Sequence, residues 1–199
     1  MARSGKTERG HSEHAVICVG GMAGSGKSTL AKKIAEKYGL KYFSGGAALM
    51  ALAVEEGYRH VERGWWESGE GMRFLEKRGR DPRFDQAVDK KLLRIAQQGN
   101  VVLDSWTMPW LLKKGFKIWL EASAEKRAER IAGRDKISFK EALEALKRKE
   151  RQTKVIYKKM YGFSLGDDYA PFNFILDTDI LNEGEVFQIS CMVLENLVL

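Results

Sequence analysis

Apolar residues in this chain fall into short continuous runs separated by stretches with helical spacing, and the alternation orders the elements. Residues 15–20 (AVICVG) read as a buried strand, and residues 26–38 then place Leu30, Ile34 and Tyr38 at four-residue intervals, as on one helix face, with Gly39 as the C-terminal stop. Residues 40–43 form a short second strand. Several helical pieces fill 46–98, with interruptions around 64–71 and 79–82. Residues 100–104 and 116–121 are two further buried strands. A helix is expected over 124–133 and another over 139–161, the second opening on a capping box of Ser138 with Glu141 and stopping before Gly162. A fifth strand at 173–177 and a closing helix at 183–197 complete the pattern.

Strands separated by helices predict an α/β fold with a parallel sheet and right-handed crossovers. Ligands of such sheets bind beyond the carboxyl ends of the strands, so motifs that carry chemistry are expected there. With 199 residues and no internal repeat or low-complexity stretch, the chain reads as one domain over 15–199 preceded by a loose polar tail over 1–14.

Composition narrows the class. The chain is 44% hydrophobic and 31% charged with three prolines, enough apolar surface for a core and too little bias for a disordered or fibrous protein. No apolar run reaches the roughly 18–20 residues of a bilayer span, and the N-terminus lacks the apolar core of a signal peptide, so a cytoplasmic location is expected. Cys18 and Cys191 lie in apolar segments and read as small buried hydrophobes. Charge is uneven: residues 113–160 hold 16 Lys/Arg against 7 Asp/Glu, a net of +9 in a chain whose total is +7. That excess favours a polyanionic partner, nucleotide phosphate or RNA, although a solvated basic helix would give the same count.

The sharpest motif follows the first strand. Gly21-Met22-Ala23-Gly24-Ser25-Gly26-Lys27-Ser28-Thr29 fits G-x-x-x-x-G-K-[ST]. Its glycines let successive backbone N–H groups turn toward phosphate oxygens, and the following helix adds the positive end of its dipole. Lys27 is placed to bridge β- and γ-phosphates and the Ser28 hydroxyl to ligand Mg²⁺, so the loop marks a nucleoside triphosphate site. Asp104 ends the third strand and can hold Mg²⁺ or accept a proton from an acceptor hydroxyl; capping the next turn with Ser105 is its structural alternative. Arg127, Arg130 and Arg134 share one helix face and suit closure of positive charge over a transferring phosphoryl group. Asp177 and Asp179 end the fifth strand, where a loop can border a base. Trp65, Trp66, Trp106 and Trp110 read mainly as packing. His11, His14 and His60 show no zinc-ligand spacing.

The order of these segments resembles the nucleoside monophosphate kinases, and most closely the archaeal type of cytidylate kinase. The resemblance covers about residues 15–190 and rests on GMAGSGKST at 21–29, KYFSGG at 41–46, DPRFD at 81–85, GNVVLD at 99–104, KIWLEASAEKRAERIAGRD at 117–135 and YKKMYGFS at 157–164. It implies a P-loop NTPase fold, three α/β/α layers around a five-stranded parallel sheet. It also implies a helical acceptor-binding insertion over about 45–98 and a short lid within about 127–165. ATP with Mg²⁺ would be the donor, and CMP or dCMP the acceptor. The departures fall on the acceptor side. Ala47-Ala48-Leu49-Met50 stands where the family has an acid and then an arginine, Ser105-Trp106 where it has Gly-Arg, and Ile156 where an arginine precedes the late tyrosine. Arg73, Arg78, Arg80, Arg83, Arg148, Arg151 and Lys154 are the candidates to replace them. Two alternatives therefore stay open: a kinase of a non-phosphorylated nucleoside or RNA hydroxyl, and an ATP-dependent RNA or ribonucleoprotein factor.

Overall fold

The computed structural model describes residues 14–61 and 63–199; apart from His14, the tail expected over 1–14 lies outside the described residues. Strands β1 (Val16–Gly21), β2 (Lys41–Ser44), β3 (Val101–Asp104), β4 (Phe116–Glu121) and β5 (Phe174–Asp177) form one parallel sheet in the order β2-β3-β1-β4-β5. The helices are α1 (Lys27–Lys37), α2 (Gly45–Glu55), α3 (Gly69–Arg80), α4 (Arg83–Gln97), α5 (Met108–Leu111), α6 (Ala124–Asp135), α7 (Phe139–Tyr161) and α8 (Glu183–Leu197), with a 3-10 turn at Trp65–Glu67. Both sheet faces are covered, which is why the central strands β1 and β3 are continuously apolar up to Asp104 rather than alternating. Ile17, Val19, Val102, Ile118 and Leu120 pack on one side with Leu30 and Ile34 of α1 and Val186 and Leu194 of α8. Cys18, Val101 and Leu103 point the other way, to Leu49, Phe74, Val88, Leu92 and Met108. The arrangement is the expected three-layer α/β/α sandwich.

Two smaller cores attach the remaining helices. Met72 and Leu75 of α3 meet Trp119, Ile156, Tyr157, Phe163 and Leu165. Ala128 and Ile131 of α6 meet Ala142 and Leu146 of α7 and Ala23 of the loop after β1. Cys18 and Cys191 are buried free thiols, and burial pushes the Cys18 thiol well above its ordinary range.

Helix ends follow local chemistry closely. Gly39 adopts φ 64°, and Leu40 N–H returns to the Ala35 carbonyl (2.8 Å). The Ser138/Glu141 box caps α7, and Gly162 at φ 81° stops it. Three details differ from expectation. Helix α6 runs past Gly133 to Asp135 because Lys136, at φ 60°, takes the left-handed position that ends it. Helix α5 is four residues long, too short for periodicity to show. Gly71 lies inside α3 instead of interrupting it: a Cβ there would fall on the Trp65 carbonyl, so the glycine lets the 3-10 turn lie against the helix.

Parallel pairing brings the carboxyl ends of the strands to one edge. Asp104 stands in register with both Val19 and Ser44, and Gly21 with Leu120. Leu146, fully buried between α6 and α7, ties those helices to this edge. Leu146→Ala is expected to cost about 2–5 kcal/mol of unfolding free energy in urea titration. A loss below about 1 kcal/mol would show that α6 and α7 pack only loosely.

Candidate active site

The turn after β1 is shaped by glycines that cannot be replaced without displacing backbone. Gly21 has φ 146° and a Cβ there would meet the Ser25 hydroxyl and the Leu120 carbonyl; at Gly24, φ 81°, it would meet the Arg127 carbonyl at 2.7 Å. The turn delivers the chain into α1 with Gly26 at its N-cap in the left-handed conformation and no side-chain cap. By contrast α2, α3, α6, α7 and α8 are capped by Ser44, Ser68, Ser123, Ser138 and Asn182. The first-turn amides of α1, unpaired within the helix, are therefore left for an anion. The Ser25 hydroxyl in the same loop is buried without a protein partner.

Beside this loop, the Ser28 hydroxyl donates to Asp104 Oδ2 at 2.5 Å, and the Tyr42 hydroxyl donates to the same oxygen at 3.1 Å. A hydroxyl and a carboxylate in contact fit Mg²⁺, which takes oxygen ligands and is held by one or two protein groups together with substrate phosphates. Among the described residues no group of three His, Cys, Asp or Glu side chains forms a self-sufficient metal site. The role sequence reasoning offered for Asp104 as a cap passes to Ser105, whose hydroxyl accepts from the N–H groups of Thr107 and Met108 (both 3.2 Å).

Two concavities meet at the loop. A cleft of about 700 Å³ runs from Gly24–Thr29 past Lys33, Lys126 and Arg130 to residues 178–183 after β5. A cavity of about 190 Å³ lies on the other side, between the loop, α2, α4, Trp66 and Trp106. Gly24, Lys27, Ser28 and Arg134 line both. Lys27 is partly buried, with Nζ 5.6 Å from the centre of the Trp106 ring, and burial draws its ammonium below the ordinary lysine range while Asp104 acts against that.

The structure separates the three arginines of α6. Arg130 donates to the Thr178 hydroxyl (3.0 Å) and carbonyl (2.6 Å), at the cleft. Arg134 donates to both carboxylate oxygens of Asp135 (2.7 and 2.6 Å) and to Glu67 (3.4 Å), where cleft and cavity join. Arg127 faces neither. It is buried, donating to the carbonyls of Ala122 (2.9 Å) and Ala23 (3.2 Å) and pairing with Glu150. Met22 also points away, into the core under α7, whereas Ala23 lines the cavity and Ser25 and Thr29 the cleft. Asp177 accepts from Asp179 N–H, and Asp179 from Ser123 N–H (2.7 Å), so both brace the turn after β5; Asp179 also lines the cleft.

Of the basic residues expected to replace the absent arginines, only Arg78 lines the cavity, and it is engaged: it donates to both oxygens of Asp85 (2.9 and 2.5 Å) and to the Tyr157 hydroxyl (3.2 Å). Arg73, Arg83, Arg148 and Lys154 pair with Glu70, Asp81, Glu76 and Asp167 outside it. The cavity instead holds Lys149, which sequence reasoning missed. Its Nζ donates to Glu67 (3.3 Å) and lies 5.1 and 5.8 Å from the ring centres of Trp66 and Trp106; burial pulls it down to about 8. The signal was there: Lys149 falls on the buried stripe Ala142, Leu146, Lys149, Thr153, Ile156, where an apolar residue is expected. Asp89 was missed likewise, on the stripe Asp85, Val88, Asp89, Leu92 of α4. Trp65 is core, as expected, and so is Trp110, stacked on Phe163; Trp66 and Trp106 line the cavity.

A phosphate-binding loop with a cleft on one side, a separate cavity on the other and a parallel sheet beneath defines the P-loop nucleotide kinases. The profile of the cytidylate kinase-like family matches residues 16–180, and the chain belongs to that family. It is 34% identical over 183 residues to the cytidylate kinase of Pyrococcus horikoshii, covering 92% of this chain and 89% of that one. It is also 34% identical over 187 residues to the cytidylate kinase of Methanocaldococcus jannaschii, covering 92% and 98%. In fold it is similar to the shikimate kinase of Bacteroides thetaiotaomicron, at TM-score 0.53, 18% identity and coverage of 93% and 99% of the two chains. No helix among the described residues is long and apolar enough to cross a membrane.

Asp89 provides a readout of the cavity wall. Its carboxyl accepts from Thr107 Oγ1 (2.5 Å) and the Tyr161 hydroxyl (2.6 Å), yet burial dominates and raises it to about 6. A raised carboxylate binds more protons folded than unfolded between about pH 4 and 6, so its contribution to stability falls as pH rises through that window. Asp89→Asn should remove a decline of roughly 2–3 kcal/mol across that window, read as the difference between variant and parent in urea titrations. Parallel curves would show that Asp89 titrates normally.

Proposed function

We propose that the protein transfers the γ-phosphoryl group of ATP to a nucleoside monophosphate, with CMP and dCMP as first candidates. The observation that carries this reading is the junction: Lys27, Ser28 and Arg134 line both the cleft and the cavity, with Asp104 on Ser28 at the boundary. A transferring group at that junction is reached from both sides. The kinship with cytidylate kinases supplies the acceptor class.

The residues divide the work as phosphoryl transfer requires, by positioning and charge. Loop amides from Gly24 to Thr29 cradle the triphosphate. Lys27 reaches the β- and γ-phosphates, and its partly buried ammonium acts at short range with little screening. Ser28 and Asp104 would hold Mg²⁺, which when bound supplies neutralisation of the phosphate charge. Arg130 and Arg134 border the transferring group, whereas Arg127 is a positioning residue that fixes the loop through Ala23. In the reaction the acceptor phosphate oxygen forms a bond to the γ-phosphorus as the bond to the β,γ-bridging oxygen breaks, and ADP leaves with that electron pair. An already ionised phosphate oxygen needs no general base.

One observation favours a second reading, a neutral hydroxyl acceptor. The cavity is lined by four cations, Lys27, Arg78, Arg134 and Lys149, and four carboxylates, Glu67, Asp85, Asp89 and Asp104, so it offers a phosphate dianion no surplus charge. With an unphosphorylated acceptor Asp104 would serve as base. Of the 16 basic residues over 113–160, six pair with carboxylates among the described residues: Lys126 with Glu129, Arg127 with Glu150, Arg134 with Asp135, Arg148 with Glu76, Lys149 with Glu67 and Lys154 with Asp167.

An acceptor panel with γ-labelled ATP and Mg²⁺, covering CMP, dCMP, UMP, AMP, their nucleosides and bulk tRNA, decides between these readings. Transfer to a pyrimidine monophosphate is expected. Label appearing only on nucleosides or RNA would replace the first reading by the second. Lys27→Ala and Asp104→Asn are each expected to lower kcat by about 100-fold or more with an unchanged thermal midpoint. Near-parental turnover in Lys27→Ala would exclude the loop as the donor site.

A further inference from the structure

The insertion between β2 and β3 carries one carboxylate to the place where the cations of three other segments converge. Glu67, at the end of the 3-10 turn, has a side chain only 5% exposed. It accepts from Lys149 of α7 at 3.3 Å and from Arg134 of α6 at 3.4 Å. Lys27 of the phosphate loop is near enough for Glu67 and Arg134 to act on its charge. All four line the same cavity as Asp104.

We propose that Lys149 and Arg134 bind the phosphate of the acceptor nucleotide and that Glu67 is an internal carboxylate which that phosphate displaces. The proposal rests on the monophosphate reading above. A carboxylate and a phosphate are alike to this pair, since both offer only acceptor oxygens carrying negative charge. Both contacts of Glu67 are long beside the 2.7–2.9 Å of a charge-assisted hydrogen bond, and Arg134 makes its shorter bonds to Asp135. The carboxylate is held loosely enough to yield. The other lining arginine, Arg78, is buried in its pair with Asp85, whereas Arg134 is 58% exposed in its pair with Asp135, so Arg134 and Lys149 are the cations that can turn toward a new anion. Displacing Glu67 also shifts the charge balance toward the phosphate, because the cavity then holds four cations against three carboxylates. The Trp66 and Trp106 rings, whose centres lie 5.1 and 5.8 Å from the Lys149 ammonium, help hold it at this spot.

The test is calorimetric titration at pH 6.5, without turnover, of the parent, Glu67→Gln, Lys149→Met and Lys149→Arg with CMP, cytidine and ATP. Glu67→Gln is expected to bind CMP several-fold more tightly, and Lys149→Met at least about tenfold more weakly. Lys149→Arg should stay near the parent. Cytidine and ATP affinities should hold within about twofold throughout. Parallel changes for cytidine would mean that the cluster shapes the cavity and does not bind phosphate, and changes for ATP alone would move the site to the donor. Either result, unchanged CMP affinity in both Glu67→Gln and Lys149→Met, or no CMP binding by parent and Glu67→Gln alike overturns the proposal. Transfer to CMP in the labelling panel with unmoved affinities here would leave the monophosphate reading standing and remove only this inference.

Discussion

The Arg127 guanidinium is the point at which the phosphate loop, the sheet and the helical arm become one object. It donates to Ala122 just beyond β4, to Ala23 within the loop and to Glu150 of α7, with almost no access to water. A buried cation is tolerable only when its donors are matched, and loss of one partner strands the rest. This one residue therefore fixes how far the loop stands from α6 and how α7 lies across both. Gly24 adds to the constraint, because its missing Cβ is what lets the loop approach the Arg127 backbone. The geometry of the phosphate loop is thus rigid in origin, inherited from strands and a buried ion pair.

The cavity on the other side of the loop is built on a different principle. Its wall consists of internally satisfied pairs, Arg78 with Asp85 and Tyr157, and Asp89 with Thr107 and Tyr161, interleaved with tryptophan rings. Such pairs give shape and polarity without offering spare charge. Where the resemblance implies arginines, this chain has Ala47–Met50, Trp106 and Ile156, and the cavity holds one buried lysine, Lys149. Lysine is a point charge on a flexible stem, whereas arginine offers a planar fork. Recognition by Lys149 would accordingly depend more on the confinement of its ammonium than on directed bidentate bonding.

Much of this was legible in the sequence, for reasons particular to each part. The sheet could be read because its central strands, covered on both faces, form continuous apolar runs, and α7 because its capping box and Gly162 mark both ends. The phosphate loop could be read because its glycines answer a backbone requirement that few other residues meet. Glu67 and Lys149 could not be joined by spacing, since 82 residues separate them and only the packing of α3 on α7 brings them together. The α6 arginines show the same limit. Their shared face was legible, but Arg127 turns inward because the Ala122 and Ala23 carbonyls lie beneath the first turn, which no periodicity reports.

Gly71 has a consequence that reaches past its own helix. With only a hydrogen at that Cα, the backbone of Trp65 and Trp66 rests directly on α3, and this close approach sets the height at which the Trp66 ring and Glu67 stand over the phosphate loop. Any larger residue would lift that turn as a unit, moving indole and carboxylate together away from Lys149 and Arg134. The shape of the cavity is thereby vested in a position that does not line it. A chain that kept every cavity-lining residue and altered only this glycine would still have a differently shaped cavity.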